Sequence, residues 1–205
     1  FMFSLMLIQK KALPSKKDLL FYVIRGAAGY VGQSFCYFTA LNYASAGVVS
    51  LLLYTYPALV MIGSVVLFHE KGTVSKVVSL VLALIGAGVI IGGEIHADSM
   101  GILLSVMAAV FYAAYILISS RVVKPGEGMQ SSAFIMLGAA MVYGVFTLVS
   151  GFTPPVQTSG IIAVILIALV STAIAFWTFF AGMEKTGPSV ASLVSTLEPV
   201  VTVLA

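Results

Sequence analysis

The stretch NYASAGVVSLLLYTYPALVMIGSVVLF, Asn42 to Phe68, decides the fold. From Ala46 to Phe68 it carries no charged residue. About 20 apolar residues are enough for a helix to cross a bilayer. A barrel strand would be about 10 residues long with alternating polar positions, so a helix is the reading that fits. The stretch also has an internal signature: a polar turn at Asn42–Ser45, small residues, Ser50, then an interior proline, Pro57. That signature returns once. EKTGPSVASLVSTLEP, Glu184 to Pro199, aligns on Asn42–Pro57 without a gap at a shift of 142 positions. Val48, Ser50, Leu51 and Pro57 recur as Val190, Ser192, Leu193 and Pro199, and Tyr37-Phe38 as Phe179-Phe180.

Working outward, uncharged runs follow one another along the chain. Leu19–Leu41 is interrupted only by Arg25; Val77–Gly93 and Met100–Ser120 are uncharged. Gly128–Met183 is too long for one helix and is cut at the Pro154-Pro155 turn into Ser132–Ser150 and Gly160–Met183. A last helix begins near Pro188, where a first-turn proline is tolerated, and is still apolar at Ala205. Phe1–Ile8 is an apolar stub too short to span. The sequence thus predicts six complete spans and two partial ones. Gly26-Ala-Ala-Gly29 and Gly86-Ala-Gly88 suit close helix–helix packing in lipid.

Composition agrees. Of 205 residues, 60% are hydrophobic and only 8% charged, with a mean hydropathy of +1.13. Soluble domains carry roughly 25% charged residues, so this chain cannot cover a core with polar surface. A soluble enzyme and a disordered chain are excluded. Nucleic-acid binding is excluded too, because the lysines behind the net charge of +3 are confined to short gaps between apolar runs. A single cysteine, Cys36, excludes a disulfide framework and a cysteine-rich metal site. No metal, cofactor or ATP-binding motif is read, and no nucleophile–base pair for an enzyme.

Charge alternates from loop to loop. Lys10, Lys11, Lys16, Lys17, Lys71, Lys76, Arg121, Lys124 and Lys185 all fall on one side, which the positive-inside rule makes cytoplasmic. The loops at Asn42–Ser45, at Glu94–Asp98 and at Pro154-Pro155 hold no Lys or Arg. Arg25 lies about two turns inside its helix, within snorkelling reach of the cytoplasmic headgroups. The turn at Asn42 therefore faces outside and that at Glu184 inside, so the two copies run in opposite senses. Inverted repeats are the architecture of many secondary transporters. The reading is an all-α polytopic membrane helix bundle of two inverted five-helix repeats, about ten helices when complete and truncated here at both ends. Residues 1–93 form the first repeat and 100–205 the second.

These motifs resemble the drug/metabolite transporter superfamily and, within it, the EamA-type permeases. The resemblance rests on Ala40–Pro57 followed by Leu67-Phe-His-Glu70, on Gly182–Pro199, and on the helix from Gly101 to Arg121. It implies a multi-pass protein of the plasma or inner membrane, a ten-helix bundle with both termini in the cytoplasm and a central cavity. It further implies a secondary transporter of a small organic solute (a metabolite or drug, in the export direction) working by alternating access. A non-transporting membrane receptor or assembly partner is the alternative.

Glu198 is the sharpest candidate for the cavity. It lies about ten residues past Pro188, near mid-membrane, where a carboxylate must be protonated, paired or wet. It reads either as a substrate or coupling group, with a proton as the candidate coupling ion, or as a protonated carboxyl bonded to a neighbouring helix. Tyr56 is its repeat partner. With Tyr54, Ser50, Ser192, Ser195 and Thr196 it could line a polar, aromatic cavity, although serines and threonines in membrane helices often bond only their own backbone. Gln33, Tyr37, Tyr112, Tyr115 and Trp177 are weaker candidates. Pro57 and Pro199 hold equivalent positions as hinges or ordinary kinks. Glu70 and Arg25 are structural or gating candidates, Glu70 through a basic loop residue or an adjacent helix end.

Overall fold

The computed structural model describes residues 14–90, 96–123, 127–151 and 157–198. Phe1–Ile8, Lys10, Lys11, Gly93, Glu94, Lys124, Pro154, Pro155 and Pro199 lie outside the described residues, as does the end of the last helix to Ala205. Among the described residues the chain is helical with no strand. The elements are α1 (Lys16–Arg25), a π-helical stretch (Gly26–Tyr30), α2 (Val31–Ala40), α3 (Ala46–Leu53), α4 (Tyr56–Phe68), α5 (Val74–Ile90), α6 (Ser99–Val122), α7 (Gly128–Ser150), α8 (Thr158–Leu166), a second π-helical stretch (Ile167–Ile174), α9 (Ala175–Thr186) and α10 (Pro188–Ser195).

Among the described residues, four helical segments are long and apolar enough to cross a membrane: Ala46–Phe68, Ser99–Val122, Gly128–Ser150 and Thr158–Thr186. The sequence predicts six complete spans. The fifth, Val74–Ile90, has 17 described residues, or roughly 26 Å of helix against a hydrocarbon core of about 30 Å. The sixth, at Lys16–Ala40, is divided into α1, the π-helical stretch and α2, and it carries Lys16, Lys17, Asp18 and Arg25. Large apolar side chains stand exposed along whole helix faces, such as Leu82, Ile85 and Val89 on α5 and Val145, Leu148 and Val149 on α7. A soluble monomer does not tolerate faces of that kind, and acyl chains do.

The backbone repeats what the sequence repeats. α3 and α10 are each eight residues long and begin 142 positions apart. Both end in the same bend, with Tyr54 at φ −64°, ψ 0° and Thr196 at φ −69°, ψ −3°. A threonine hydroxyl bonds back over each break, Thr55 Oγ1 to the Leu52 carbonyl at 2.7 Å and Thr196 Oγ1 to the Leu193 carbonyl at 2.6 Å. The first π-helical stretch, shifted by 142, falls at 168–172, inside the second. In that second stretch the Thr172 hydroxyl reaches the Ile167 carbonyl five residues back, at 3.1 Å, the reach of a widened turn.

The described residues fold as two compact units. The first takes its residues from Phe1–Val31 and Val123–Lys185, the second from Gly32–Val122 and Thr186–Ala205, so each draws on both expected repeats. In the first unit, α1 and the adjoining π-helical stretch pack on α7. The contact depends on glycine: a Cβ on Gly26 would run into the Ile135 carbonyl oxygen, and one on Gly138 into that of Val23. Tyr30 meets Phe176 of α9 edge to face, with ring centroids 5.1 Å apart. Gly86 does not play the packing role its sequence suggests. No described atom lies within 4 Å of a Cβ placed there, and the residue lines a groove instead.

In the second unit α6 is the central support. α3 and α4 pack along it and α10 packs on α4, α5 and α6. Ser105 and Ser119 of α6 are fully buried and satisfy their hydroxyls on their own helix, on the Gly101 and Tyr115 carbonyls.

Candidate functional site

The functional candidates of the second unit gather at the two helix breaks. Pro57 sits in the first turn of α4, where its missing N–H leaves no helical bond unmade. The Ala46–Phe68 segment therefore bends at Tyr54-Thr55, with α3 before the bend and α4 after it. Pro57 is fully buried at this point.

Tyr56, 3% exposed, is the centre of the cluster. Its hydroxyl donates to the Ser192 carbonyl at 3.5 Å. Its ring lies against that of Tyr112 of α6, with centroids 4.4 Å apart, and Tyr112 stacks on Tyr115 at 6.4 Å. The break after α3 thus reaches the last turn of α10 through one phenol. Ser192 is fully buried and gives its own hydroxyl to the Ser189 carbonyl at 3.0 Å; Ser195 gives its hydroxyl to the Ala191 carbonyl at 3.1 Å. Thr196 is likewise turned onto its own backbone. Ser50 behaves differently: its hydroxyl pairs across to Tyr37 of α2 at 3.1 Å.

Tyr54 stands at the bend that ends α3. Glu198 is exposed rather than enclosed. The phenols of Tyr56, Tyr112 and Tyr115 thus gather near the hydroxyls of the last turn of α10, groups able to hydrogen-bond a small polar solute. A separate groove of about 420 Å³ runs between α5 and α10. It is floored by Ala83, Gly86 and Ala87 and is apolar except at Ser79 and Thr196.

The two structural or gating candidates lie away from this cluster. Glu70 follows His69, a left-handed residue at φ 56° that stops α4. Its Oε2 accepts from Ser189 Oγ at 2.6 Å and from Lys76 Nζ at 3.2 Å. Glu70 thus touches a lysine in the first turn of α5 and a serine in the first turn of α10. Ser189, which sequence reasoning did not single out, is marked only by its place just after Gly187-Pro188, in the first turn of a helix. Arg25, in the first unit, departs from the expected snorkelling to headgroups. It is buried, with its guanidinium over the Phe21 ring at 5.6 Å and the Tyr22 ring at 5.9 Å. Aromatic faces within the protein offer a weakly hydrated guanidinium an alternative to the interface. Next to it, fully buried Tyr22 donates to Glu127 Oε2 at 2.9 Å.

Comparison with known proteins places this architecture. The sequence profile of the EamA-like transporter family matches residues 1–92 and 99–205. The uncharacterized transporter YcbK of Bacillus subtilis (strain 168) is 26% identical over 178 residues, which cover 81% of this chain and 56% of that protein. The uncharacterized transporter YyaM of the same organism is 26% identical over 200 residues, covering 92% of this chain and 65% of that protein. The chain thus spans less than two thirds of the length of either relative. A solved crystal structure superposes with a TM-score of 0.82 at 22% identity, over 99% of this chain and 71% of the other, a likeness of fold. With its apolar helices, the chain is a multi-pass membrane protein. It belongs to the EamA-like transporter family.

Proposed function

We propose that the protein is a secondary transporter that moves a small organic solute across the membrane, in the export direction, by alternating access. The observation that carries this reading is the pairing of two discontinuous helices. α3 and α10 break at equivalent positions, and the phenol of Tyr56 joins the restart of one to the last turn of the other. Broken helices at corresponding positions of two repeats are where transporters place substrate and coupling-ion sites. The family profile supports the same reading, since its two matched stretches run close to the two repeats read from the sequence.

In this reading Glu198, Tyr54 and Tyr56 contact the solute, with Ser50, Ser192, Ser195 and Thr196 shaping the wall behind them. Glu198 is the residue able to take up a coupling proton. The breaks at Tyr54-Thr55 and Thr196-Leu197 supply the hinges, with Pro57 and Pro199 following them. The two repeats, inverted with respect to each other, exchange access to the site between the two sides. The end of the molecule bearing Lys71, Lys76 and Arg121 faces the cytoplasm.

The test is flux of a broad panel of labelled metabolites in vesicles carrying the full-length protein. Efflux of at least one solute above protein-free vesicles, abolished in Glu198→Gln, is the expected result. Unchanged flux across the whole panel would sink the proposal.

A further inference from the structure

The N-termini of α3 and α10 are equivalent by the 142-residue repeat, and they are anchored by different chemistry. At α3 the anchor is main chain. The Ser45 N–H donates to the His96 carbonyl at 2.8 Å and the Asp98 N–H to the Tyr43 carbonyl at 2.9 Å, closing a short antiparallel bridge between Ala44 and Ala97. Gly101 seals it, because a Cβ there would lie 2.7 Å from that of Ala44. Such bonds depend on no side chain and stay made as long as the two loops keep their shape.

At α10 the polar anchor is a side chain, Glu70, added to the packing of the helix on its neighbours. Its carboxylate takes the Ser189 hydroxyl and the Lys76 ammonium, and its Oε1 lies 3.1 Å from where a Gly187 Cβ would be. A negative charge at a helix N-terminus is favourable, and hydrogen bonds to an ionised acceptor are short and strong. The Glu70–Lys76 pair is about a quarter exposed, so water can compete for both partners when the contact opens. Screening of exposed pairs keeps the cost of opening modest. One end of the paired broken helices is therefore fixed by backbone and the other is held by a contact that can release.

We propose that Glu70 is a positioning residue of the transport cycle: it is the releasable anchor that holds the start of α10 closed, and its release lets the helix bearing Ser192 and Ser195 move at the end assigned to the cytoplasm. The proposal rests on the transport reading for its purpose but not for its test. Release frees Ser189 and Lys76 to water together. The Ser45–His96 and Tyr43–Asp98 bonds hold the opposite end unchanged.

The test uses the full chain with its one cysteine removed by Cys36→Ser and a reporter placed by Ser195→Cys. A membrane-impermeant thiol reagent is applied to inside-out and to right-side-out vesicles. Glu70→Ala and Ser189→Ala should each raise the rate of modification from the cytoplasmic side about tenfold, the low end of what is expected when one bond to a charged group is lost. Glu70→Gln keeps an acceptor for Ser189 and loses the ion pair, so its rise should be smaller. Modification from the outside should not change. A rise of less than about twofold in both Glu70→Ala and Ser189→Ala, or an equal rise from the two sides, overturns the proposal. Ser189→Ala deletes one hydroxyl and keeps the test alive if Glu70→Ala does not fold. Solute flux of the unsubstituted protein is measured alongside. An unsubstituted protein that moves no solute defeats the transport reading and leaves the anchor standing; a transporting protein whose Glu70 and Ser189 variants keep the cysteine rates of the reporter parent defeats the anchor alone.

Discussion

Tyr56 and Ser192 are separated by 136 positions and joined by one hydrogen bond, from the phenol to the main-chain carbonyl at 3.5 Å. Tyr56 opens the helix that follows the first break, and Ser192 lies in the last turn before the second. The bond is the point at which the two broken helices are tied together, so its removal separates packing from polar linkage. Tyr56→Phe keeps the ring against Tyr112 and deletes the hydroxyl. Loss of one net hydrogen bond costs about 1 kcal/mol, and the Ser192 carbonyl is left with one partner fewer. We expect a fall of a few degrees in the melting temperature of the detergent-solubilised protein and a several-fold drop in solute flux. An unchanged melting temperature and flux would show that the bond carries neither.

In the first unit, Gly26 and Gly138 form a reciprocal contact between the α1 side and α7, each glycine set against the other segment's backbone. Backbone cannot swing away as a side chain can, so a methyl group at either position must push the segments apart. Gly26→Ala and Gly138→Ala should each destabilise by about 2 kcal/mol or more, the range of overpacked cores. Gly144→Ala, with no neighbour within 4 Å of its Cβ, should be neutral or stabilising by up to about 1 kcal/mol from helix propensity alone. Thermal unfolding followed by size-exclusion chromatography separates the two classes.

Tyr22 is fully buried and its hydroxyl serves Glu127, the residue that precedes α7. A bond to an ionised acceptor is worth roughly 1.5–3 kcal/mol, and Glu127 is only partly buried, so the low end applies. Tyr22→Phe should cost about 1.5 kcal/mol on that basis, while Tyr22→Leu should cost more because a ring volume is lost as well. Equal melting temperatures for Tyr22→Phe and the parent would show that water replaces the phenol at Glu127 without loss.

Glu198→Gln preserves size and hydrogen-bonding capacity and removes the ionisable group. In the transport reading, flux should fall at least about tenfold, equivalent to about 1.4 kcal/mol in the limiting step, with the melting temperature unchanged. Removing the carboxyl's ability to exchange a proton should also abolish any dependence of flux on a pH gradient. Equal loss of folding and flux would instead assign Glu198 a packing role.

The helices themselves were legible because the bilayer imposes a simple rule on sequence. Ala46–Phe68 reads as a span and is a helical segment long and apolar enough to be one, and Pro188 reads as the first turn of α10 and is there. The repeat was legible for the same reason: a serine, a proline and a polar turn recurring at fixed spacing mark equivalent backbone, and α3 and α10 match in length and ending. Less legible were the details that depend on neighbours. Ser50 and Ser192 look alike in sequence, yet one hydroxyl crosses to Tyr37 and the other returns to its own helix. Arg25 reads as a snorkelling residue, yet it is buried, with its guanidinium near the Phe21 and Tyr22 rings.

The sequence by itself determined that this chain is a helical membrane protein with an internal repeat, since hydropathy and spacing are properties of the chain alone. Tertiary structure decided that Tyr56 meets Ser192, that Glu70 anchors Ser189, and that Gly26 rather than Gly86 is the glycine packed against a neighbour. These are contacts between segments far apart in the chain. In lipid they are set by shape and by the pairing of a few polar groups, and neither leaves a periodic trace in the sequence.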